Sequence, residues 1–381
     1  MSQRRRILLV TYEYPPVGGG MGKAARAIGR ALLRRGYDVA VLTSRFRGQP
    51  RDERHTDGLR ILRIPVLRRH INYASAAEVL SFAASGALYA GWVKRRFRPT
   101  ACVAFLTIPS GFVAEVLRLT GGPPWIDLLR GQDVPGYPDT PRWMHRLAWP
   151  VTWWLWHRAA HVVANSEGLA ALAHESDARL PIRIMPNGID VERYVPPAKG
   201  RLERTVRVLY TGRLVRFKGL RNLIEAWRLV VRGTQMPAEL WIAGHGPERP
   251  VLEALAEQAG LARSVRFLGR LEEDKLIRAL QRADIFVNPS EGEGMPNAVL
   301  EAMACGLPVV LSDIAPHREM LVGGRGGVLC DATRPKAIAR ALLDVMDDRE
   351  TRLHLGEEAR EIVRTHFSWD QALETLDELL E

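Results

Sequence analysis

The chain is poor in cysteine, in lysine and in long apolar runs. Its three cysteines, Cys102, Cys305 and Cys330, are too few and too scattered for a disulfide framework; they offer no metal-ligand spacing and fit reduced thiols. No stretch approaches the roughly 20 apolar residues of a membrane-spanning helix. The uncharged candidate 79–93 is short and interrupted by Ser81, Ser85, Gly86 and Gly91. The start, MSQRRRILLV, has the basic residues of a secretory signal, but its apolar run breaks at Glu13 and Pro15, so a cytoplasmic location is expected. Only six of 54 basic residues are Lys, which makes much of the Arg load a habit of composition.

That habit does not explain how charge is distributed. Residues 1–190 carry 27 Lys or Arg against 14 Asp or Glu, a surplus of 13, whereas residues 191–381 carry 27 against 29. A basic half favours an anionic partner: a membrane surface, a phosphate-bearing acceptor or nucleic acid. It also reads as an ordinary solvated surface. At 381 residues the chain has room for two domains, each with its own core.

Both halves alternate short β-branched runs with helical stripes, the pattern of an α/β fold with parallel sheets. Residues 5–12 read as a first strand, followed by the glycine-rich turn 13–22. The next helix has its stripe at Ala24, Ala27, Ile28, Ala31 and Leu32. A Walker A loop would need Gly at Val17 and Ser or Thr at Ala24. A dinucleotide fingerprint matches only as Gly20-x-Gly22-x-x-Ala25, with prolines between it and the strand and no acidic ribose partner after Thr43. Flexible glycines able to approach a phosphate remain.

Further strands are expected at 60–66, 102–106, 125–129, 162–164 and 182–185, with an Ala-rich helix over 74–93. The strand 125–129 ends in a polar turn holding Arg130 and Asp133, at the sheet edge where ligands bind. Taken singly, that Arg and Asp read as a structural ion pair. Residues 143–157 hold five of the ten tryptophans; buried packing is expected for most of them, with peripheral membrane contact as the alternative.

Residues 191–205, with Pro196, Pro197, Lys199 and Gly200, read as a connector. A strand at 206–210 then runs into Gly212, Arg213 and Lys218, and the helix beyond has its stripe at Leu220, Leu223, Ile224, Trp227 and Val231. Two cations at that edge suit a diphosphate, since Arg offers a fork of donors and Lys a mobile point charge. The most informative stretch is 284–311. Two buried strands flank a loop with Glu293, then Met295, Pro296 and Asn297, then a short helix from Ala298 to Cys305 containing Glu301. A helix N-terminus after such a loop is an anion site. The two glutamates suit neutral hydroxyls, so the implied ligand carries both phosphate and sugar. The same stretch also reads as a plain βα turn with two solvated carboxylates. At the far end, the segment 367–381 is an acidic amphipathic helix with Trp369, Ala372, Leu373, Leu376 and Leu380 on one face, suited to docking on the basic half.

Six segments in order, 14–20, 130–136, 186–190, 212–219, 244–247 and 293–301, make the chain resemble the retaining glycosyltransferase family 4, of GT-B fold. The last carries that family's Glu-x7-Glu pattern in Glu293 and Glu301. The resemblance implies two facing Rossmann-like domains with a cleft between them and a C-terminal helix crossing back. Residues 1–190 would bind the acceptor, 191–205 would link, 206–366 would bind the sugar nucleotide, and 367–381 would pack on the first domain. It implies that Arg213 and Lys218, after Gly212, bind the donor diphosphate, that Glu301 holds the ribose, and that Glu293 lies against the transferred sugar. Met295, Pro296, Asn297 and Ala298 would meet sugar or phosphate, and Gly18, Gly19 and Gly20 would close over the diphosphate. Arg130 stands where many members have His, with Asp133 sharing its role, and His245 stands where an acidic residue is common.

The activity so implied is retaining transfer of a sugar from a UDP- or GDP-sugar, a substrate rather than a cofactor, to a saccharide or lipid-linked acceptor in surface polysaccharide or glycolipid synthesis. No metal is expected, in keeping with the absence of any Asp-x-Asp triplet. The implied partners are donor, acceptor and an anionic membrane surface, not nucleic acid. Rival readings are a sugar-nucleotide epimerase of the same fold and a non-catalytic basic protein binding membrane or nucleic acid.

Overall fold

A computed structural model describes residues 5–71, 74–138, 140–198 and 205–380. The chain divides into two compact units, 1–187 with 369–381, and 188–368. In the first, β1 (Arg6–Val10), α1 (Gly20–Arg34), β2 (Asp38–Arg45), β3 (Asp52–Arg54), β4 (Arg60–Pro65), α2 (Ala76–Phe97), β5 (Ala101–Phe105), α3 (Phe112–Leu119), β6 (Trp125–Leu129), α4 (Arg142–Trp156), β7 (His161–Ala164), α5 (Glu167–His174) and β8 (Ile182–Ile184) follow in turn. The second holds β9 (Val206–Thr211), α6 (Leu220–Gly233), β10 (Ala238–Ala243), α7 (Arg249–Gln258), β11 (Val265–Gly269), α8 (Glu273–Arg282), β12 (Ile285–Asn288), α9 (Asn297–Ala304), β13 (Val309–Ser312), α10 (Ala315–Met320), β14 (Gly327–Cys330), α11 (Pro335–Met346) and α12 (Arg349–His366). Last comes α13 (Trp369–Leu380), which belongs to the first unit.

The first sheet runs β3-β4-β2-β1-β5-β6-β7-β8 and the second β11-β10-β9-β12-β13-β14. Every pairing is parallel except β3 with β4. The central strands are apolar on both faces because helices cover both faces, which is why Ile7 to Val10 and Ile285 to Val287 are all buried. The edge strand β3, DER, carries no apolar signal, and sequence reading passed over it.

Helix stripes follow the same logic. On α6 the inward positions are Leu220, Leu223, Ile224, Trp227 and Val230, while Val231 is 41% exposed. The stripe read from the sequence had therefore chosen the wrong one of two adjacent valines at its last turn. The tryptophan-rich stretch also needs correcting. Of its five indoles only Trp156 is fully buried; Trp149 is half-buried, and Trp143, Trp153 and Trp154 are exposed. A helix on a sheet offers one face to the core, and on α4 that face is His145, Thr152, Leu155 and Trp156.

The terminal helix packs on the first unit. Trp369, Leu373, Leu376 and Leu380 lie in one core with Ala24, Ile28 and Leu32 of α1. Arg35 pairs with Asp377, and Arg183 donates to Glu378 at 2.9 Å. Including the acids of α13, the first unit has 27 basic and 18 acidic residues, a surplus of 9, and the second 27 and 25. Of the connector 191–205, residues 199–204 lie outside the described residues, whereas Tyr194 is buried in the second unit.

Candidate functional site

In the second sheet the chain adds β10 and β11 on one side of β9, then returns to add β12 on the other. The loops after β9 and β12 therefore leave neighbouring strands and diverge, and ligands of such sheets bind in that crevice. The two loops are joined backbone to backbone. Glu291 N–H donates to the Phe217 carbonyl at 2.8 Å, and Gly219 adopts φ +69° where a Cβ would stand 2.1 Å from the Pro289 carbonyl oxygen. Only glycine meets both demands.

This junction brings the predicted cations together with a carboxylate. Arg213 and Lys218 flank the buried ring of Phe217, with Cζ 5.9 Å and Nζ 5.0 Å from its centroid. Lys218 Nζ donates to Glu293 Oε1, and Asn288 Nδ2 donates to the same oxygen at 3.3 Å. Side-chain exposure is 12% for Lys218 and 6% for Glu293, so the pair is screened little by solvent. Burial pushes the Glu293 carboxyl up, but the charge and hydrogen bond of Lys218 prevail and hold it below the usual carboxylate range. Behind it His317, on α10, is fully buried, and burial pushes its pKa down against the pull of Glu293. Its Nδ1 lies 2.9 Å from the Ser312 carbonyl oxygen, which makes Nδ1 the protonated nitrogen; among the described residues Nε2 has no partner.

The helix α9 starts at Asn297, one residue before the predicted Ala298, on a Pro296 N-cap with no side-chain hydrogen bond. Met295 is buried beneath it. One turn further, Glu301 is 6% exposed and accepts from Tyr194 Oη at 3.2 Å. Tyr194 lies in the stretch whose sequence reads as a connector, and burial together with Glu301 raises its pKa. The loops after β9 and β12 and the helix α9 thus carry Gly212, Arg213, Lys218, Glu293, Met295, Pro296, Asn297, Ala298 and Glu301, with Lys218 bonded to Glu293 and Tyr194 to Glu301. Tyr194, Asn288 and His317 are contacts that sequence reasoning missed. His245 contributes its carbonyl, which takes the Leu214 N–H at 3.0 Å. Among the described residues no group of three or more His, Cys, Asp or Glu is placed to hold a metal ion.

The remaining predicted residues belong to the first unit. Gly18 has φ +92° and Gly20 is already the first residue of α1. The Gly19 N–H donates to Glu13 Oε2 at 3.1 Å, so a carboxylate of the chain itself occupies the amide that would face a phosphate. At the end of β6, Arg130 and Asp133 do not form the ion pair read from the sequence. Asp133 spends its oxygens on the backbone N–H groups of Arg130, Gly131 and Thr107, at 3.0, 3.1 and 3.1 Å. The Arg130 guanidinium donates from Nη1 to Asn187 and stacks 5.1 Å from the Phe105 centroid. Burial lowers its pKa to about 10. Beside them Asp127 is completely buried: Trp156 Nε1 donates to Thr107 Oγ1 at 2.8 Å, which donates to Asp127 Oδ2 at 2.7 Å. Burial, then the charge of Asp133, raises the Asp127 pKa well above the carboxylate norm.

Comparison with known proteins gives similarity along both units. Residues 19–188 match the family model for a glycosyl transferase 4-like domain, and residues 196–362 that for glycosyl transferases group 1. Glycogen synthase of Mycobacterium tuberculosis is 27% identical over 388 residues, covering 96% of this chain and 91% of that protein. A D-inositol 3-phosphate glycosyltransferase of Corynebacterium urealyticum is 33% identical over 52% of this chain and 50% of its own. Among solved structures, sucrose-phosphate synthase from Thermosynechococcus elongatus superposes with a TM-score of 0.87 at 22% identity, over 99% of this chain and 98% of that one. HepE of Anabaena, solved with UDP and glucose, gives 0.79 at 17% identity over 99% of each chain.

Proposed function

The chain belongs to the group 1 glycosyltransferases of GT-B fold, and on that premise we propose that it moves a hexosyl group, with retention, from a UDP- or GDP-sugar to a saccharide or lipid-linked acceptor. The observation that carries the reading is the Arg213–Phe217–Lys218 arrangement facing Glu293 in one crevice. The donor diphosphate binds Arg213 and Lys218, whose charges neutralise the leaving group without a metal ion. Lys218 exchanges Glu293 for a phosphate oxygen as the donor enters. The freed carboxylate then accepts from hydroxyls of the transferred sugar, while Glu301, held by Tyr194, takes the ribose. The bond from the anomeric carbon to phosphate breaks as the bond to the acceptor oxygen forms on the same face. The acceptor proton passes to the departing phosphate oxygen, so no protein base is required. Acceptor recognition is assigned to the first unit.

Thermal unfolding with UDP, GDP, ADP and their sugar conjugates tests this, because a ligand of the folded state raises the midpoint by mass action. The expected result is a rise with one of the UDP or GDP families, lost in Arg213→Ala. A rise with neither family overturns the donor assignment. Donor consumption without any acceptor product would favour the epimerase, and an inverted anomeric product would remove retention.

A further inference from the structure

We infer that the outer face of α4 is a docking surface for an anionic lipid bilayer. On this helix Trp143, Leu147, Val151 and Trp154, spaced four, four and three apart, form one stripe. All four face solvent, with exposures of 66, 77, 43 and 39%. Pro150 and Trp153 are exposed beside them. Singly exposed apolar residues are ordinary, but a contiguous strip with an indole at each end and a third beside it is not.

The rim of the strip identifies the occupant. Arg142 and Arg146 are exposed along one side, and Arg158 is exposed just past the end of the helix, where it also bridges to Glu115 at 3.1 Å. No Asp or Glu occurs between residues 140 and 166. Apolar centre, indole belt and cationic rim are what an interfacial helix presents to anionic headgroups, the indoles lying at the boundary and the guanidiniums reaching the phosphates. The surplus of nine positive charges in this unit acts in the same sense. A second copy of the chain fits worse: a two-fold contact through this face would bring the cations of both copies into one interface, with no Asp or Glu on either α4 to meet them. A nucleic acid would leave the apolar centre unmatched.

The test is co-sedimentation of the full chain, without nucleotide, with vesicles of phosphatidylcholine alone and of phosphatidylcholine and phosphatidylglycerol in equal parts. The chain is expected to pellet with the mixed vesicles. Trp143→Ser, Leu147→Ser and Trp154→Ser together should weaken binding by about tenfold or more. Arg142→Glu with Arg146→Glu should remove the preference for the anionic lipid. These side chains are exposed, so the thermal midpoint and its rise with donor should not change, which separates this surface from the transfer reaction. The proposal is overturned if the chain stays in the supernatant with mixed vesicles, or if the triple variant binds as the parent does. A dimer in solution that the triple variant loses would also overturn it, in favour of a second copy.

Discussion

Each unit buries a carboxylate beneath the C-terminal ends of its parallel strands, and the two are in opposite states. In the second unit Glu293 meets Lys218 and stays charged despite its burial. In the first, Asp127 meets a hydroxyl and another carboxylate, and burial drives it toward the protonated form. Similar strand–loop–helix architecture therefore produces an electrostatically poised crevice in one unit and a neutral hydrogen-bonded core in the other. What decides between them is whether a cation is placed on the neighbouring loop. Lys218 reaches its position because the loops after β9 and β12 are bonded together; Arg130, the corresponding cation of the first unit, is turned instead to Asn187 and Phe105.

Converting each carboxylate to its amide should split this comparison most widely. Glu293→Gln leaves Lys218 buried and unpaired, at an expected cost of about 3 kcal/mol in chemical denaturation. Turnover should fall by about 100-fold or more. Asp127→Asn keeps an acceptor for Thr107 and removes a titratable group that burial disfavours, so stability at neutral pH should rise by about 1 kcal/mol. The sign follows from linkage: a carboxyl whose folded pKa is raised contributes fully below its unfolded pKa of 3.8, and that contribution is lost as pH climbs. Denaturation followed from pH 4 to pH 8 should therefore show a falling component in the parent that is missing from Asp127→Asn.

Backbone glycines give a second contrast. Gly219→Ala drives a methyl into the Pro289 carbonyl at positive φ and should cost about 3 kcal/mol, while Gly18→Ala, also at positive φ, meets the Glu13 side chain down to its Cβ at 2.5 Å, so that the loop itself must shift, and should cost about 2 kcal/mol. Differential scanning calorimetry of the two variants would rank them. The smallest effect belongs to His317. Because its folded pKa lies below 6.5, the unfolded chain takes up the proton first, and stability falls as pH drops below 6.5. His317→Asn should flatten that acid slope, leaving the component from His145, whose pKa burial also lowers.

These residues also mark where sequence reading succeeds and where it stops. The positions of Arg213, Lys218, Glu293 and Glu301 on the loops after β9 and β12 and on α9 were legible because each sits at a fixed offset from an apolar strand or helix stripe. The place of Tyr194 was not, since it is set by a hydrogen bond to Glu301, 107 positions away. His317 lies in a short polar helix after β13 and means little until its burial is known. Asp127 is a single acid inside an apolar strand, and no periodicity tells whether such a residue faces a cation, a hydroxyl or water. Arg130 and Asp133 misled for the same reason: adjacency in sequence does not say whether a carboxylate will prefer a guanidinium or the amides of its own loop.

The return of α13 to the first unit has a consequence for how the chain is made. On the ribosome the sheet containing β1 to β8 emerges first, but one wall of its core is supplied by Trp369, Leu373, Leu376 and Leu380. At ordinary rates of translation those side chains follow on the order of ten to forty seconds later, after all of residues 188–368. During that interval the surface of α1 that will receive them is open, so the first unit to be synthesised is the last to be finished.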